Sequence, residues 1–211
     1  MADDKFIITI NREAGSGGRE IAIRLAELLG VKIYGKEILA SIMDKYRLTP
    51  EQIEKIMAEK PNWWSEFCRF YKQFSSVADN TNENFEVNSL QLYHEERKIL
   101  QELAKQESCV IVGRTGFHIF KDYPNALRIF LIARPECRIK RFMERLGIDE
   151  KEASKRMEKS DMDRENYTKS FADISRYDAR NYDLVLNVSG FTTEQVAQFL
   201  AQNIRLKYPQ K

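Results

Sequence analysis

The sequence predicts an α/β fold: a parallel five-stranded sheet with helices on both faces. Short apolar runs recur at Phe6–Ile10, Val31–Tyr34, Cys109–Val112, Leu127–Ala133 and Leu184–Asn187, each followed by helical or helix-rich sequence. That alternation is the signature of strands covered on both faces. The first run breaks at once into a glycine-rich turn, Asn11-Arg-Glu-Ala-Gly15-Ser-Gly17-Gly18-Arg19-Glu20. Asn11, Gly35, Arg114 and Arg134 all fall just past the carboxyl ends of the runs, where sheets of this kind bind ligands.

The first strand and its turn are the most informative element. Strand, glycine-rich turn and helix together aim free backbone N–H groups and a positive helix end at a phosphate. Glycines at 15, 17 and 18 allow positive φ and a close approach to the backbone. Ile21, Leu25 and Leu28 then give the helix a face for the sheet. The other reading of the turn is a tight connection with no ligand. The standard phosphate loop is G-x-x-x-x-G-K-[ST]. With Gly17 as its second glycine, Arg12 stands at the first glycine, Gly18 at the lysine and Arg19 at the Ser/Thr. In the variant with one extra residue, Glu20 takes that last position.

Residues 36–107 read as a long, mostly helical insert without a strand. Trp63, Phe67, Phe70 and Phe74 form one apolar helix face. Packing on neighbouring helices is the ordinary reading of that face, and a homodimer interface is the functional one. Asp79-Asn-Thr-Asn-Glu-Asn84 is polar and turn-like, and an amphipathic helix resumes from Leu90 to Leu103. The whole chain of 211 residues, insert included, suits one domain with a full core.

Composition narrows the function classes. Charged residues make up 31% of the chain, yet the net charge is only +2, so no global field favours nucleic acid or an anionic membrane. No apolar run approaches the roughly 20 residues needed to cross a bilayer. Met1-Ala-Asp-Asp-Lys5 has no signal-peptide character, and a cytoplasmic location is expected. Cys68, Cys109 and Cys137 are widely spaced and read as reduced thiols. With His94 and His118 the only histidines and no Cys-x-x-Cys, a zinc site is not expected.

Arginine dominates the second half. The run Ser108-Cys-Val-Ile-Val-Gly-Arg114 ends at a strand exit. The next strand leads into Arg134-Pro-Glu-Cys-Arg138-Ile-Lys-Arg141-Phe-Met-Glu-Arg145, where Pro135 suits a first helical turn. Arg138, Arg141 and Arg145 line one face of that helix, and Ile139, Phe142, Met143 and Leu146 the other. After Gly147 a second charged helix carries Asp161 and Arg164 one turn apart. For each arginine alone a solvated face is the ordinary reading, and a surface ion pair explains Asp161 and Arg164 as well. Guanidinium groups converging on one cleft are what phosphoryl transfer requires, because Arg offers a rigid fork of donors that stays charged.

Together these segments resemble the cytidylate kinase-like family of P-loop nucleoside monophosphate kinases, in the branch whose loop reads Ile-x-Arg-Glu-x-Gly-Ser-Gly-Gly-Arg-Glu. Further matches are Val-Ile-Val-Gly-Arg114, the Pro135-Glu-x-Arg-x-x-Arg helix, Asp161-x-x-Arg164 with Tyr167, and Tyr182-Asp-Leu-Val-Leu-Asn187. The resemblance runs from Phe6 to about Leu200. It implies ATP and Mg²⁺ as cofactors and a pyrimidine monophosphate, CMP or dCMP, as phosphate acceptor. Gly15, Ser16, Gly17, Gly18, Arg19, Glu20 and Arg138 are then expected at the ATP phosphates. Arg114, Asp161 and Arg164 are expected at the acceptor, with Arg19, Arg114, Arg141 and Arg164 acting in catalysis and Glu20 on the metal. Residues 36–107 become the acceptor-binding insert and residues 147–165 a lid.

The chain also departs from the family. The loop lysine is gone, and Arg19 as its nearest replacement points about 100° away around the helix. Glu20 beside a phosphate is favourable only with Mg²⁺ between them. Val112 stands where many P-loop enzymes keep Asp, Thr115 where cytidylate kinases show Asp, and Gly35 where Tyr-Asp-Lys-Glu is frequent. Two functions therefore stay open. One is an ATP-dependent cytidylate kinase-like phosphotransferase. The other is a catalytically weakened nucleotide- or phosphate-binding protein on the same fold, or a kinase of a different acceptor.

Overall fold

The computed structural model describes residues 5–35, 38, 42 and 89–209. The chain divides into two units, one of residues 1–35 and 103–211 and one of residues 36–102. The aromatic face from Trp63 to Phe74, the polar stretch 79–84 and most of the proposed acceptor insert lie outside the described residues.

The elements of the larger unit alternate as the sequence predicts. β1 (Ile7–Arg12) leads into α1 (Gly18–Leu29) and β2 (Lys32–Tyr34). α2 (Ser89–Gln106) begins in the smaller unit, where Leu92, Tyr93 and Leu100 are buried. β3 (Cys109–Val112), the short α3 (Gly116–Ile119) and β4 (Ala126–Ile132) follow. Then come α4 (Pro135–Leu146), α5 (Glu150–Ala172), a 3₁₀ turn at Ala179–Asn181, β5 (Leu184–Asn187) and α6 (Thr193–Lys207).

The five strands form one sheet in the order β2-β3-β1-β4-β5, and every pairing is parallel. β1 is central, so its side chains meet protein on both faces. On one face Ile8 and Ile10 pack with Val110, Val112, Ile129 and Leu131 beneath Ile21 and Leu25 of α1 and Leu200 and Ile204 of α6. Fully burying an aliphatic side chain of this size contributes about 1.5–3 kcal/mol, so this cluster anchors α1 and with it the glycine turn. On the other face Phe117, Phe130 and Tyr182 form a smaller cluster.

β1 is longer than its apolar run suggests. It continues through Asn11 and Arg12, which pair with Phe130 and Leu131 of β4. The cause is register: β4 extends far enough to offer both residues a partner, although neither is apolar. Arg12 is thereby fixed in a strand and is not part of the turn.

Candidate functional site

The turn after β1 is held from both ends. Glu13 N–H donates to the Leu131 carbonyl at 3.0 Å, and Ser16 donates to the Glu13 carbonyl through its N–H and its hydroxyl, at 3.3 and 2.8 Å. Gly15 and Gly17 take φ of 77° and 79°, the left-handed region where a Cβ is strained. Gly17 sits at the N-cap of α1 with no side-chain cap, so the first N–H groups of the helix are left for another acceptor. Among the described residues, no protein oxygen accepts from the amides of Gly15, Gly17 or Gly18.

Asp161, in the middle of α5, is buried behind this turn. Its Oδ1 accepts the Ala14 N–H at 2.8 Å and lies 3.5 Å from Arg176 Nη1 and 3.6 Å from Arg164 Nη1. Its Oδ2 accepts from Arg138 Nη2. Arg138, also buried, donates through Nε to the Ala14 carbonyl at 2.7 Å and lies 3.2 Å from Glu13 Oε1. One carboxylate thus ties together the turn, α4, α5 and the segment after α5. The helices α4 and α5 are joined by Phe142, Ala153 and Met157, which pack with Ala14.

Arg141, one turn beyond Arg138, lies over the glycines and donates through Nη1 to the Ser16 carbonyl. A Cβ on Gly17 would stand 2.9 Å from that nitrogen. Arg145 reaches back over the Phe142 ring, 5.2 Å from its centre. Arg19 and Glu20 are exposed on the first turn of α1. Arg114 leaves β3 through a left-handed turn in which Gly113, Arg114 and Thr115 have φ of 76°, 56° and 50°. Non-glycine residues hold that conformation at a cost of about 1–2 kcal/mol each, the kind of local strain that collects at functional sites.

Two arginines that the motif reading passes over complete the cluster. Arg176 is almost fully buried; its Nη2 donates to the Arg12 carbonyl, and its guanidinium lies 5.5 Å from the centre of the Phe130 ring. Its own carbonyl accepts the Tyr182 hydroxyl at 2.7 Å, and that hydroxyl accepts Asn11 Nδ2 at 2.7 Å. Burial pushes the Tyr182 phenol up to about 12. Arg12 is the second. Its carbonyl also accepts from Arg164 Nη1 at 3.2 Å. Burial first, then Arg164, Arg176, Arg19 and Arg114, hold its guanidinium well below the usual arginine range. Burial and Arg176 likewise lower Arg164, against the pull of Asp161. The sequence signal for Arg12 is its place at the first loop glycine; Arg176 has none.

Such a concentration of cations around unpaired turn amides is chemically suited to a polyphosphate. The metal donors are sparser. Among the described residues no group of three or more His, Cys, Asp or Glu is placed to hold an ion, and Glu20 is the carboxylate on the first turn of α1.

The cytidylate kinase-like family model matches residues 7–190. The chain belongs to that family. As a member, it is 26% identical over 197 residues to a cytidylate kinase of Pyrococcus horikoshii, covering 93% of this chain and 86% of that protein. It is also 29% identical over 126 residues to a uronate isomerase of Corynebacterium glutamicum, and there the chain spans 24% of that relative's length. Among solved structures, an uncharacterized protein from Eubacterium ventriosum superposes with a TM-score of 0.69 at 25% identity, covering 95% of this chain and 98% of that one. A shikimate kinase from Bacteroides thetaiotaomicron, 13% identical over 95% of this chain and 98% of its own, shares the fold with a TM-score of 0.53. The chain thus shares its fold with that shikimate kinase. No helix among the described residues is long and apolar enough to cross a membrane.

Proposed function

We propose that the protein is an ATP- and Mg²⁺-dependent kinase that moves a terminal phosphate to a pyrimidine nucleoside monophosphate, CMP or dCMP. The observation that carries this reading is the arginine cluster gathered at a turn in which, among the described residues, the amides of Gly15, Gly17 and Gly18 have no protein acceptor. In phosphoryl transfer the protein mainly positions groups and stabilises spread negative charge, and this site consists of little else.

In this reading the amides of Gly15 to Arg19 cradle the donor phosphates, and Arg141 covers them from α4. Arg114 and Arg164 hold the acceptor phosphate. Asp161 contributes chiefly by fixing Arg138, Arg164 and Arg176, since its oxygens already serve the Ala14 amide and those guanidinium groups. Glu20 is the carboxylate offered to Mg²⁺, a cation that takes one or two carboxylates together with substrate phosphates and water. Bound Mg²⁺ supplies neutralisation of the donor phosphates. Residues 147–165 serve as the lid that excludes water, and the protein acts in the cytoplasm.

The test is a coupled ADP-release assay with CMP, dCMP, UMP, AMP and GMP. Turnover with CMP or dCMP well above the others supports the assignment. ATP binding with no turnover on any monophosphate favours the weakened binding protein or a kinase of another acceptor.

A further inference from the structure

Among the described residues, no protein group accounts for the position of the Arg12 side chain in this cluster. Its backbone is secured by strand pairing and by two arginines on its carbonyl. Its guanidinium is different. Among the described residues no carboxylate pairs with it and no oxygen accepts from it, and the charges that act on it most strongly are those of four other arginines, Arg164, Arg176, Arg19 and Arg114. A part-buried cation surrounded by cations is unfavourable unless an anion joins it.

Its path through the site is equally specific. A Cβ on Gly18 would stand 2.6 Å from Arg12 Cβ and 2.9 Å from Cγ. A Cβ on Gly113 would stand 2.5 Å from Arg12 Nη1. Arg12 therefore runs from the β1 end across the start of α1 and places its guanidinium at the β3 exit beside Arg114. This couples two departures from the standard loop. A side chain at position 18, where that loop has lysine, cannot coexist with the stem of Arg12, which enters from the position of the first glycine.

We propose that the Arg12 guanidinium binds a phosphate group between the glycine turn and the Gly113–Arg114 exit, supplying from the strand the charge that a loop lysine would supply from the helix. The inference deepens the kinase reading and rests on it for the identity of the anion. The phosphate has two sources, the end of a donor polyphosphate or the acceptor monophosphate. Both offer the bidentate oxygens that a guanidinium fork fits.

The experiment is calorimetric titration of inorganic tripolyphosphate and, separately, of CMP into the full chain and its Arg12→Gln and Arg12→Lys variants, with melting curves without ligand. Arg12→Gln is expected to weaken at least one of the two ligands by about tenfold or more, with Arg12→Lys between it and the parent. The ligand that weakens identifies the source. Without ligand, Arg12→Gln is expected to melt no lower than the parent, because it removes a cation that has no partner. Unchanged affinity for both ligands, no binding by the parent protein, or a clear drop in melting temperature without ligand would each overturn the proposal. Turnover of CMP that survives Arg12→Gln removes this site and leaves the kinase reading. Arg12-dependent binding in a protein that phosphorylates no monophosphate removes the kinase reading and leaves the site.

Discussion

Asp161 Oδ1 accepts the backbone N–H of Ala14 at 2.8 Å, so a carboxylate on α5 sets the height of the glycine turn 147 residues earlier in the chain. The same side chain faces Arg138, Arg164 and Arg176. Turn position and arginine position are thus fixed by one group, and neither can shift without the other.

Asp161→Asn keeps an oxygen for the Ala14 amide but removes the charge that the buried arginines require. Taking one partner from a buried ion pair commonly costs about 3–5 kcal/mol. Urea unfolding should show a loss of that order. A loss within about 0.5 kcal/mol, the range of surface substitutions, would mean that Asp161 does not hold the cluster together.

Gly15 and Gly17 share a left-handed φ but differ in what a side chain would meet. At Gly15 a Cβ stands 2.7 Å from the Arg138 carbonyl oxygen, which is backbone, whereas at Gly17 the nearest atom is the mobile end of Arg141. Gly15→Ala should therefore destabilise more than Gly17→Ala, whose cost is about the 1–2 kcal/mol of the backbone alone. Thermal melts of the two variants check the order, and the reverse order would contradict this geometry.

Tyr182 makes alkaline stability a readout of the Asn11–Tyr182–Arg176 chain. Its phenol is raised to about 12 by burial, above the value of about 10 in an unfolded chain. The folded state thus keeps the proton longer, and this contribution is complete below about pH 10 and lost as pH rises toward 12. Tyr182→Phe should lower stability near pH 7 by roughly 1–2 kcal/mol, since the Arg176 carbonyl and Asn11 lose a partner. It should also lose less stability than the parent between those two pH values. Parallel curves would show that the phenol does not titrate as described.

On the first turn of α1, Arg19→Ala is expected to lower turnover more than nucleotide affinity, by about a hundredfold, as for one contact to charge that develops in the transition state. Glu20→Gln should weaken the Mg²⁺ dependence and leave the fold intact. Steady-state kinetics over a Mg²⁺ series reads both. Unchanged turnover and unchanged Mg²⁺ dependence would remove both residues from the mechanism.

The sheet was legible because β1 and β3 are buried on both faces and the other strands, although the edge strands β2 and β5 are partly exposed, still read as short apolar runs between helices. Its exact ends were not. Asn11 and Arg12 belong to β1 only because β4 supplies Phe130 and Leu131 opposite them, and pairing partners leave no mark on the strand's own composition. The glycine turn was legible from its spacing. Asp161 could be picked out with Arg164 one turn away, but its other partners come from α4 and from Arg176, and long-range convergence of that kind has no local pattern. Arg12 is marked in the sequence by its place at the first loop glycine, but its path into the site is not. An arginine at a strand end reads as solvated until Gly18 and Gly113 are seen to leave it a path inward.

The central claim is that the glycine turn and its arginines seat a nucleotide's phosphates, and a crystal structure with a non-hydrolysable ATP analogue, Mg²⁺ and CMP tests it most directly. The expected result is analogue phosphate oxygens within hydrogen-bond distance of the amides from Gly15 to Arg19, with the CMP phosphate at Arg114 and Arg164. A turn whose amides are bonded to protein carbonyls, with the phosphates bound elsewhere, would contradict it.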